Sequence, residues 1–463
     1  MLTVGLVLTV TLVAFESLAV ATIMPVVARD LGDSALYGWV FTAAVLGGLI
    51  GIVVVGGLID RTGLVRPFLG GLALFSVGLV IGGLAPSMEV LVAGRALQGL
   101  GGGAIPPVAY VAIGRALPEE LRGRMFATLS TAWVLPGVIG PAISGVVADT
   151  ASWRFVFVGM LPLIALAAAM TLPSISRSEP PAAGENDRSP ATLKGRLVPA
   201  LLVTAGAAFV VGGLTDAQLV PGGVLVVAGV VIGMPAFARL VPRGTLRVSR
   251  GLPAAVLLRG ILTFTFFCAD AYVPRALQDW RGLDAATSGI ALTAATLAWT
   301  AGAWIQARRF IHKGARRFVT TGFLALGLGI VGFAAVLSPA VPVAVGVLTW
   351  GIAGLGMGLS YSPLSLVVLA EARPAEQGTA TSGLQLSDTL GAALGTGVGG
   401  ALIAGALRGG LELWVGLAAA FAVGTATALL GAVLARRLPG PSRARSAGAE
   451  VTASAEGARA GAI

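Results

Sequence analysis

Glu16, Arg95, Asp270 and Asp388 are charged residues set deep inside apolar runs, and runs of about 20 such residues are long enough to cross a bilayer. An ionisable group in such a run is costly unless it is paired, protonated or turned to a protein interior, so it is a functional candidate by default. Glu16 lies about a dozen residues into the first run, roughly 18 Å along a helix rising about 1.5 Å per residue, near the membrane midplane. A carboxylate there can take up and release a proton, or stay protonated in a hydrogen bond to a neighbouring helix. Arg95, in the fourth run, must also face the interior, as a relay partner or as a tie to backbone carbonyls. Asp388 stands mid-run between Ser387 and Thr389, and Asp270 in the second half of the ninth run. Either can bind a cation or a proton, or serve only as a hydrogen-bond acceptor. Arg259 is close enough to the end of its run to snorkel to the membrane edge, and is set aside.

A second charged set lies between runs, at Gly56-Gly57-Leu58-Ile59-Asp60-Arg61-Thr62-Gly63-Leu64-Val65-Arg66. Gly63 suits a turn that needs positive φ, and Gly56 and Gly57 allow close approach of a neighbouring helix. The acid and its two cations read either as a solvated hairpin or as a latch that pairs with a neighbouring helix in one state and releases it in another.

The elements that must position these residues follow from composition. The chain has 463 residues, 56% hydrophobic and 11% charged, with mean hydropathy +0.91; soluble domains carry roughly 25% charged residues. The runs are uninterrupted, whereas strands of a membrane barrel would be about 10 residues of alternating pattern. The expected fold class is therefore all-α: a polytopic membrane protein of fourteen transmembrane helices, centred at about residues 15, 48, 76, 102, 137, 164, 205, 230, 264, 297, 327, 353, 390 and 424. Glycine is abundant, 67 residues, which in lipid favours tight helix packing. The net charge of +10 reflects orientation rather than nucleic acid. With the N-terminus inside, about 24 Lys and Arg fall in cytoplasmic segments and about 5 outside, which places both termini in the cytoplasm. Trp153, Trp280 and Trp414 are expected at the outer boundary as interfacial anchors. The single Cys268 and single His312 exclude a disulfide framework and a metal site. The apolar start reads as a retained helix, not a cleaved signal.

Residues 174–196, rich in proline and mixed charge, read as a cytoplasmic linker, and residues 438–463 as a disordered cytoplasmic tail. Between them an internal repeat emerges. A shift of 251 residues places Gly63 on Gly314, Arg66 on Arg317, Gly71 on Gly322 and Gly140 on Gly391; a shift of 255 places Gly99, Gly101 and Gly103 on Gly354, Gly356 and Gly358. The expected organisation is a six-helix bundle over residues 1–173, an inserted helix pair over 197–240 and a second six-helix bundle over 251–437. Two such halves are a transporter arrangement, with substrate at the midplane between them.

Four motifs carry a resemblance. Gly56-x-x-x-Asp60-Arg61-x-Gly63-x-Val65-Arg66 is similar to the cytoplasmic loop signature of the major facilitator superfamily, with Val65 replacing a basic residue. Leu91-x-x-x-Arg95-x-x-Gln98-Gly99-x-Gly101 resembles its fourth-helix signature. Gly140-Pro141-Ala142-Ile143-Ser144-Gly145 resembles the fifth-helix signature of its antiporters, with Ser144 and Pro136 replacing glycines. Ser152-Trp153-Arg154-Phe155-Val156-Phe157 is similar to the opening of the sixth helix in the fourteen-span drug:proton antiporters. Glu16 and Pro25 match an acid and a proline of the first helix, with Leu18 and Ala21 replacing polar residues between them.

The resemblance implies two halves rocking about a central site, with spans 1, 4, 9 and 12 lining the cavity and 2, 5, 10 and 13 sealing it. It implies Glu16 as the leading proton-coupling acid, tuned by Arg95, with Asp388 on a gating helix. Glu16, Gln98, Asp270 and Trp350 would line the substrate cavity, and Asp270 would contact a cationic substrate. Trp350 stands where the repeat would place an arginine equivalent to Arg95. Gly56, Asp60, Arg61, Gly63 and Arg66 would form the cytoplasmic gate. The repeat has Ile311 where Asp60 would recur, so the acid of the gate belongs to the first half alone. Gly140, Pro141 and Gly145 would bend span 5 and pack it into a tight outer seal.

The expected function is secondary active transport across the cytoplasmic membrane: proton-coupled efflux of amphipathic or cationic drugs. The alternatives are a dedicated proton-coupled carrier of a metabolite, lipid or peptide, or a non-transporting sensor or assembly subunit. The glycine-rich stretch Gly99 to Pro107 lacks the Gly-Lys-Ser/Thr ending of a P-loop, which argues against ATP-driven pumping. No nucleophile–base pair suggests an enzyme. The expected partners are lipid, a small-molecule substrate and protons, with no cofactor, no metal and no nucleic acid, and the expected state is monomeric.

Overall fold

The computed structural model describes residues 2–32, 36–177, 193–215 and 219–440. Most of the expected linker, and the tail from residue 441, lie outside the described residues. Fourteen helices among the described residues are long and apolar enough to cross a membrane. They are α1 Leu2–Leu31, α2 Tyr37–Thr62, α3 Val65–Gly83, α4 Met88–Ala116, α5 Glu119–Thr150, α6 Arg154–Ile175 and α7 Gly195–Leu214. They continue as α8 Val220–Leu240, α9 Leu252–Trp280, α10 Ser288–Arg309, α11 Gly314–Leu337, α12 Val343–Glu371, α13 Pro374–Arg408 and α14 Leu413–Arg437. Each of the fourteen expected centres falls inside one of them. We call the face carrying the α2–α3, α10–α11 and α12–α13 connections the basic face; Arg61, Arg66, Arg316, Arg317 and Arg373 lie on it.

The repeat is visible in packing as well as in sequence. Gly99 and Gly103 of α4 press on the backbone of Ala44 and Gly48 in α2, while Gly101 presses on Gly71 and Phe75 in α3. In the second bundle Gly354 and Gly358 of α12 press on Ala295 and Trp299 in α10, and Gly356 on Gly322 and Leu326 in α11. A Cβ at these glycines would strike a backbone, so the small residue sets the interhelical distance. The turns repeat too: Gly63, with φ 75°, ends α2, and Gly314, with φ 70°, separates α10 from α11. An L side chain there would be strained.

Helices α7 and α8 pair through Gly206, Gly213, Gly229 and Gly233. Their Ala200, Val203, Ala207, Ala236 and Leu240 bury an apolar cluster with Leu49, Ile52 and Val53 of α2 and Leu386 of α13. The inserted pair therefore fills the crease between the two bundles.

Two expectations are corrected. Span α5 does bend, with the α-helix broken at Ala132 and Trp133 just before Pro136. Its second half packs on α1 and on the start of α6, while Leu135, Ile139, Ile143 and Val146 are exposed. A side chain on Gly137 or Gly145 would meet open space. With the basic face closed, this half of α5 is loosely packed, because a glycine brings helices together only where another backbone faces it. Second, Trp153 is not a lipid anchor. It is 3% exposed, and its indole N–H donates to Asp30 Oδ2 at 2.9 Å. Arg154 stacks on its ring, ion-pairs with Asp30 at 2.8 Å and donates to the Ala85 carbonyl. The Ser152-Trp153-Arg154 motif thus ties α1, the end of α3 and α6 together. Trp280 and Arg281 do the equivalent work in the second bundle, donating to the carbonyls of Leu337 and Val336.

Candidate functional site

Glu16, Asp270 and Asp388 stand deep within their spans, each in a different setting. Glu16 of α1 is ion-paired with Arg95 of α4, both side chains 5% exposed. The same Arg95 nitrogen lies 2.8 Å from Gln98 Oε1, and its Nε donates to the Val40 carbonyl of α2 at 3.2 Å. One guanidinium thus joins α1, α2 and α4. Arg95 and Gln98 share a helix face, being three residues apart, and Gly94 and Gly99 around them let α3 and α2 approach closely.

Asp270 of α9 and Trp350 of α12 meet in the second bundle, Trp350 at the position that the 255-residue shift relates to Arg95. Trp350 is fully buried, and its indole N–H donates to Asp270 Oδ1 at 3.3 Å. Phe266 stacks on Trp350 with centroids 5.5 Å apart, and Phe333 lies against it at 5.4 Å. The aromatic set continues from Phe266 to Trp299 and from Trp299 to Tyr361.

Asp388 of α13 accepts from the Tyr361 hydroxyl at 2.8 Å. Arg259 Nε is 3.9 Å from its other oxygen. The Arg259 guanidinium stacks 3.4 Å above the Tyr361 ring and donates to Ser365 Oγ. Arg259 was set aside as a snorkelling residue, and the structure overturns that: it is fully buried. The start of α9 is held by the Leu252 N–H donating to Glu371 and the Gly251 N–H to the Arg437 carbonyl, and the Arg259 side chain does not reach the surface. Distance along the helix gave no warning; the only available signal was a cation within reach of an acid on another span.

At the basic face Asp60 crosses between the bundles. Its two oxygens accept from the N–H groups of Gly378 and Thr379 at 2.7 and 2.8 Å and from the Thr379 hydroxyl at 2.6 Å. The α-helix of α13 begins at Gln377, so the carboxylate lies at a helix N-terminus, where unpaired N–H groups and the helix dipole favour an anion. The acid thus pairs with backbone donors, not with a cation of the neighbouring helix. Gly56 lies against Gly378 and Ser382, too close for any side chain. Arg61 and Arg66 are exposed. Two residues outside the motif join the contact: Arg115 of α4 donates to the Pro374 carbonyl and to Gln377, and Arg196 of α7 donates to the Thr379 hydroxyl. Neither was expected from the sequence, because both partners lie far along the chain.

Gly140 approaches Phe15 of α1 at ordinary contact distance, and Ser144, which replaces a glycine, donates to the Gly140 carbonyl within its own helix. The Pro141 side chain lies outside the described set. An apolar cavity of about 830 Å³ opens on the flank between α11 and α14, lined by Trp280, Leu337, Trp414 and Phe421. Glu412 also lines it, but Glu16, Asp270 and Asp388 do not.

Residues 6–396 match the sequence profile of the Major Facilitator Superfamily. A protein of Mycobacterium tuberculosis (strain ATCC 25618 / H37Rv) named "Probable multidrug-efflux transporter" is 28% identical over 449 residues, covering 93% of this chain and 94% of its own. The multidrug transporter protein MdtP of Bacillus subtilis (strain 168) is 25% identical over 407 residues, covering 86% of this chain and 74% of its own. Among solved structures, the proton:xylose symporter XylE superposes with TM-score 0.69 at 14% identity, over 95% of each chain. The human organic anion transporter MFSD10 superposes with TM-score 0.65 at 16% identity, over 94% of this chain and 98% of that one. At these identities the two structures speak to the fold alone.

Proposed function

This chain belongs to the Major Facilitator Superfamily, and from that premise we propose that it exports amphipathic or cationic drugs in exchange for protons by alternating access. The observation that carries the reading is the buried Glu16–Arg95 pair between α1 and α4, in a chain whose relatives are named for multidrug efflux. A proton arriving at Glu16 cancels its charge and leaves Arg95 on Gln98 and the Val40 carbonyl. The tie between α1 and α4 is thereby weakened without stranding the guanidinium. Loss of the proton restores the pair. Proton uptake and helix packing are coupled through one side chain, as an exchanger requires.

In this reading the basic face is cytoplasmic, since it gathers the arginines, and the chain works as a monomer in the cytoplasmic membrane. Asp60 on the start of α13 holds that face closed.

The test is efflux from cells expressing the protein, across a chemically diverse panel, with and without a protonophore. We expect several unrelated cationic amphipaths to accumulate less, and the protonophore to abolish the difference. Saturation with one metabolite, or efflux indifferent to the protonophore, would overturn the reading.

A further inference from the structure

The arginines of the basic face are not all engaged alike. Arg115 and Arg196 are committed to the start of α13, and Arg122 donates to the Leu117 carbonyl. Arg250, Arg316, Arg317, Arg436 and Arg437 are exposed, and among the described residues none of the five has an ion-pair partner within 4.0 Å. The backbone nevertheless draws them together. The Gly251 N–H donates to the Arg437 carbonyl at 3.1 Å, and the Arg316 N–H to the Pro439 carbonyl at 3.3 Å. The α8–α9 connection, the start of α11 and the end of α14 therefore meet. Glu371, the acid beside Gly251, is turned to the Leu252 N–H at 2.6 Å. The α8–α9 connection is fixed at the expense of its own backbone, since Val248 is held at φ 51°, where a β-branched residue is strained. Orientation in a membrane requires only that cations collect on one face. It does not require five of them to be gathered at one junction without a counter-charge.

We propose that this junction binds the phosphate headgroup of an anionic phospholipid, in the leaflet that meets the basic face. Guanidinium groups present planar N–H forks that match phosphate oxygens, and basic clusters at the membrane surface attract anionic headgroups. The helices below supply the matching apolar surface. Leu324 lies two turns along α11 from Arg317, and Leu430 two turns back along α14 from Arg437; both are exposed. The two helices adjoin, Gly431 of α14 lying against Phe323 of α11, so acyl chains can run down one flank beneath the arginines. A bound phosphate would neutralise the junction and join α9, α11 and α14 at their basic ends.

The test uses the purified full chain in detergent with phosphatidylglycerol, cardiolipin, phosphatidylcholine and water-soluble glycerol phosphate as probes. The two anionic lipids should bind saturably and raise the melting temperature. Phosphatidylcholine should bind about tenfold more weakly or worse, and glycerol phosphate at the same concentration should not compete. Arg316→Gln/Arg437→Gln should lose about tenfold or more in affinity for the anionic lipids, while melting like the parent without lipid. Arg124→Gln/Arg177→Gln removes two exposed cations elsewhere on the same face and should stay within about threefold of the parent. If the first pair fails to fold, Arg250→Gln/Arg436→Gln decides in its place. No saturable binding, equal affinity for phosphatidylcholine, or an equal loss in the two double variants would overturn the site. Competition by glycerol phosphate at lipid concentrations would make the junction a site for free anions and overturn the lipid assignment.

Discussion

Glu16→Gln keeps the shape and one acceptor oxygen of the side chain facing Arg95, so the fold should survive with a small loss in thermal stability. Glu16→Ala removes the acceptor altogether and leaves a buried guanidinium short of its partner, which costs about 3–5 kcal/mol in comparable pairs. In proteoliposomes Glu16→Gln should abolish transport driven by a pH gradient while exchange down a substrate gradient persists; unaltered gradient-driven transport would contradict a coupling role. Asp388 makes a contrasting case. With Arg259 3.9 Å away and Tyr361 donating to it, its charge is already matched. Asp388→Asn should therefore slow cationic and neutral substrates alike in efflux assays, and selective loss of cations would contradict this. The four candidate charges were legible because charged residues in apolar runs are rare, and their partners were not. Glu16 and Arg95 are 79 residues apart in sequence, and only the packing of α1 on α4 joins them. Arg259 was misread for a related reason, since its depth depends on what covers the start of α9 and not on its distance from that start.

At the scale of helices, glycine does the organising, and its effect depends on direction. Gly103 faces the Gly48 carbonyl across the α2–α4 seam, whereas a Cβ on the adjacent Gly102 would reach only the Phe75 ring at 3.6 Å. Gly103→Ala should push the helices apart and lower stability by about 1–3 kcal/mol. Gly102→Ala should be neutral or gain up to about 1 kcal/mol from helix propensity. Gly358→Ala, at the repeat-related seam against Trp299, should behave like Gly103→Ala. Thermal denaturation in detergent of the three variants checks this, and equal effects at Gly102 and Gly103 would contradict it. The helices themselves were readable from run length, and the repeat from glycine spacing, because both are local or periodic. The poor packing of α5 was not readable. Its glycines resemble those of α4, and only the absence of a facing backbone tells them apart.

For the molecule as a whole, the contact at the basic face decides which side is open. Asp60 makes three hydrogen bonds of 2.6–2.8 Å to the start of α13, and the sequence revealed the acid but not this partner, more than 300 residues away. Bonds to a charged group are worth about 1.5–3 kcal/mol each in net terms. Asp60→Asn keeps one acceptor oxygen and forfeits the charge, so a loss of about 1.4–2.8 kcal/mol, a tenfold to hundredfold shift toward opening of this face, is expected. Arg196→Ala should shift the equilibrium the same way by less, because it removes one donor to Thr379 and leaves Asp60 in place. Spin labels at Arg66→Cys and Arg373→Cys, both exposed positions, report the separation of the two bundles once the buried Cys268 is replaced. The parent should show a single short distance, Arg196→Ala a minor longer population and Asp60→Asn a major one. If the order of the two variants is reversed, the inserted pair and not the Asp60 contact holds the bundles together; identical distributions in all three would remove Asp60 from the gate.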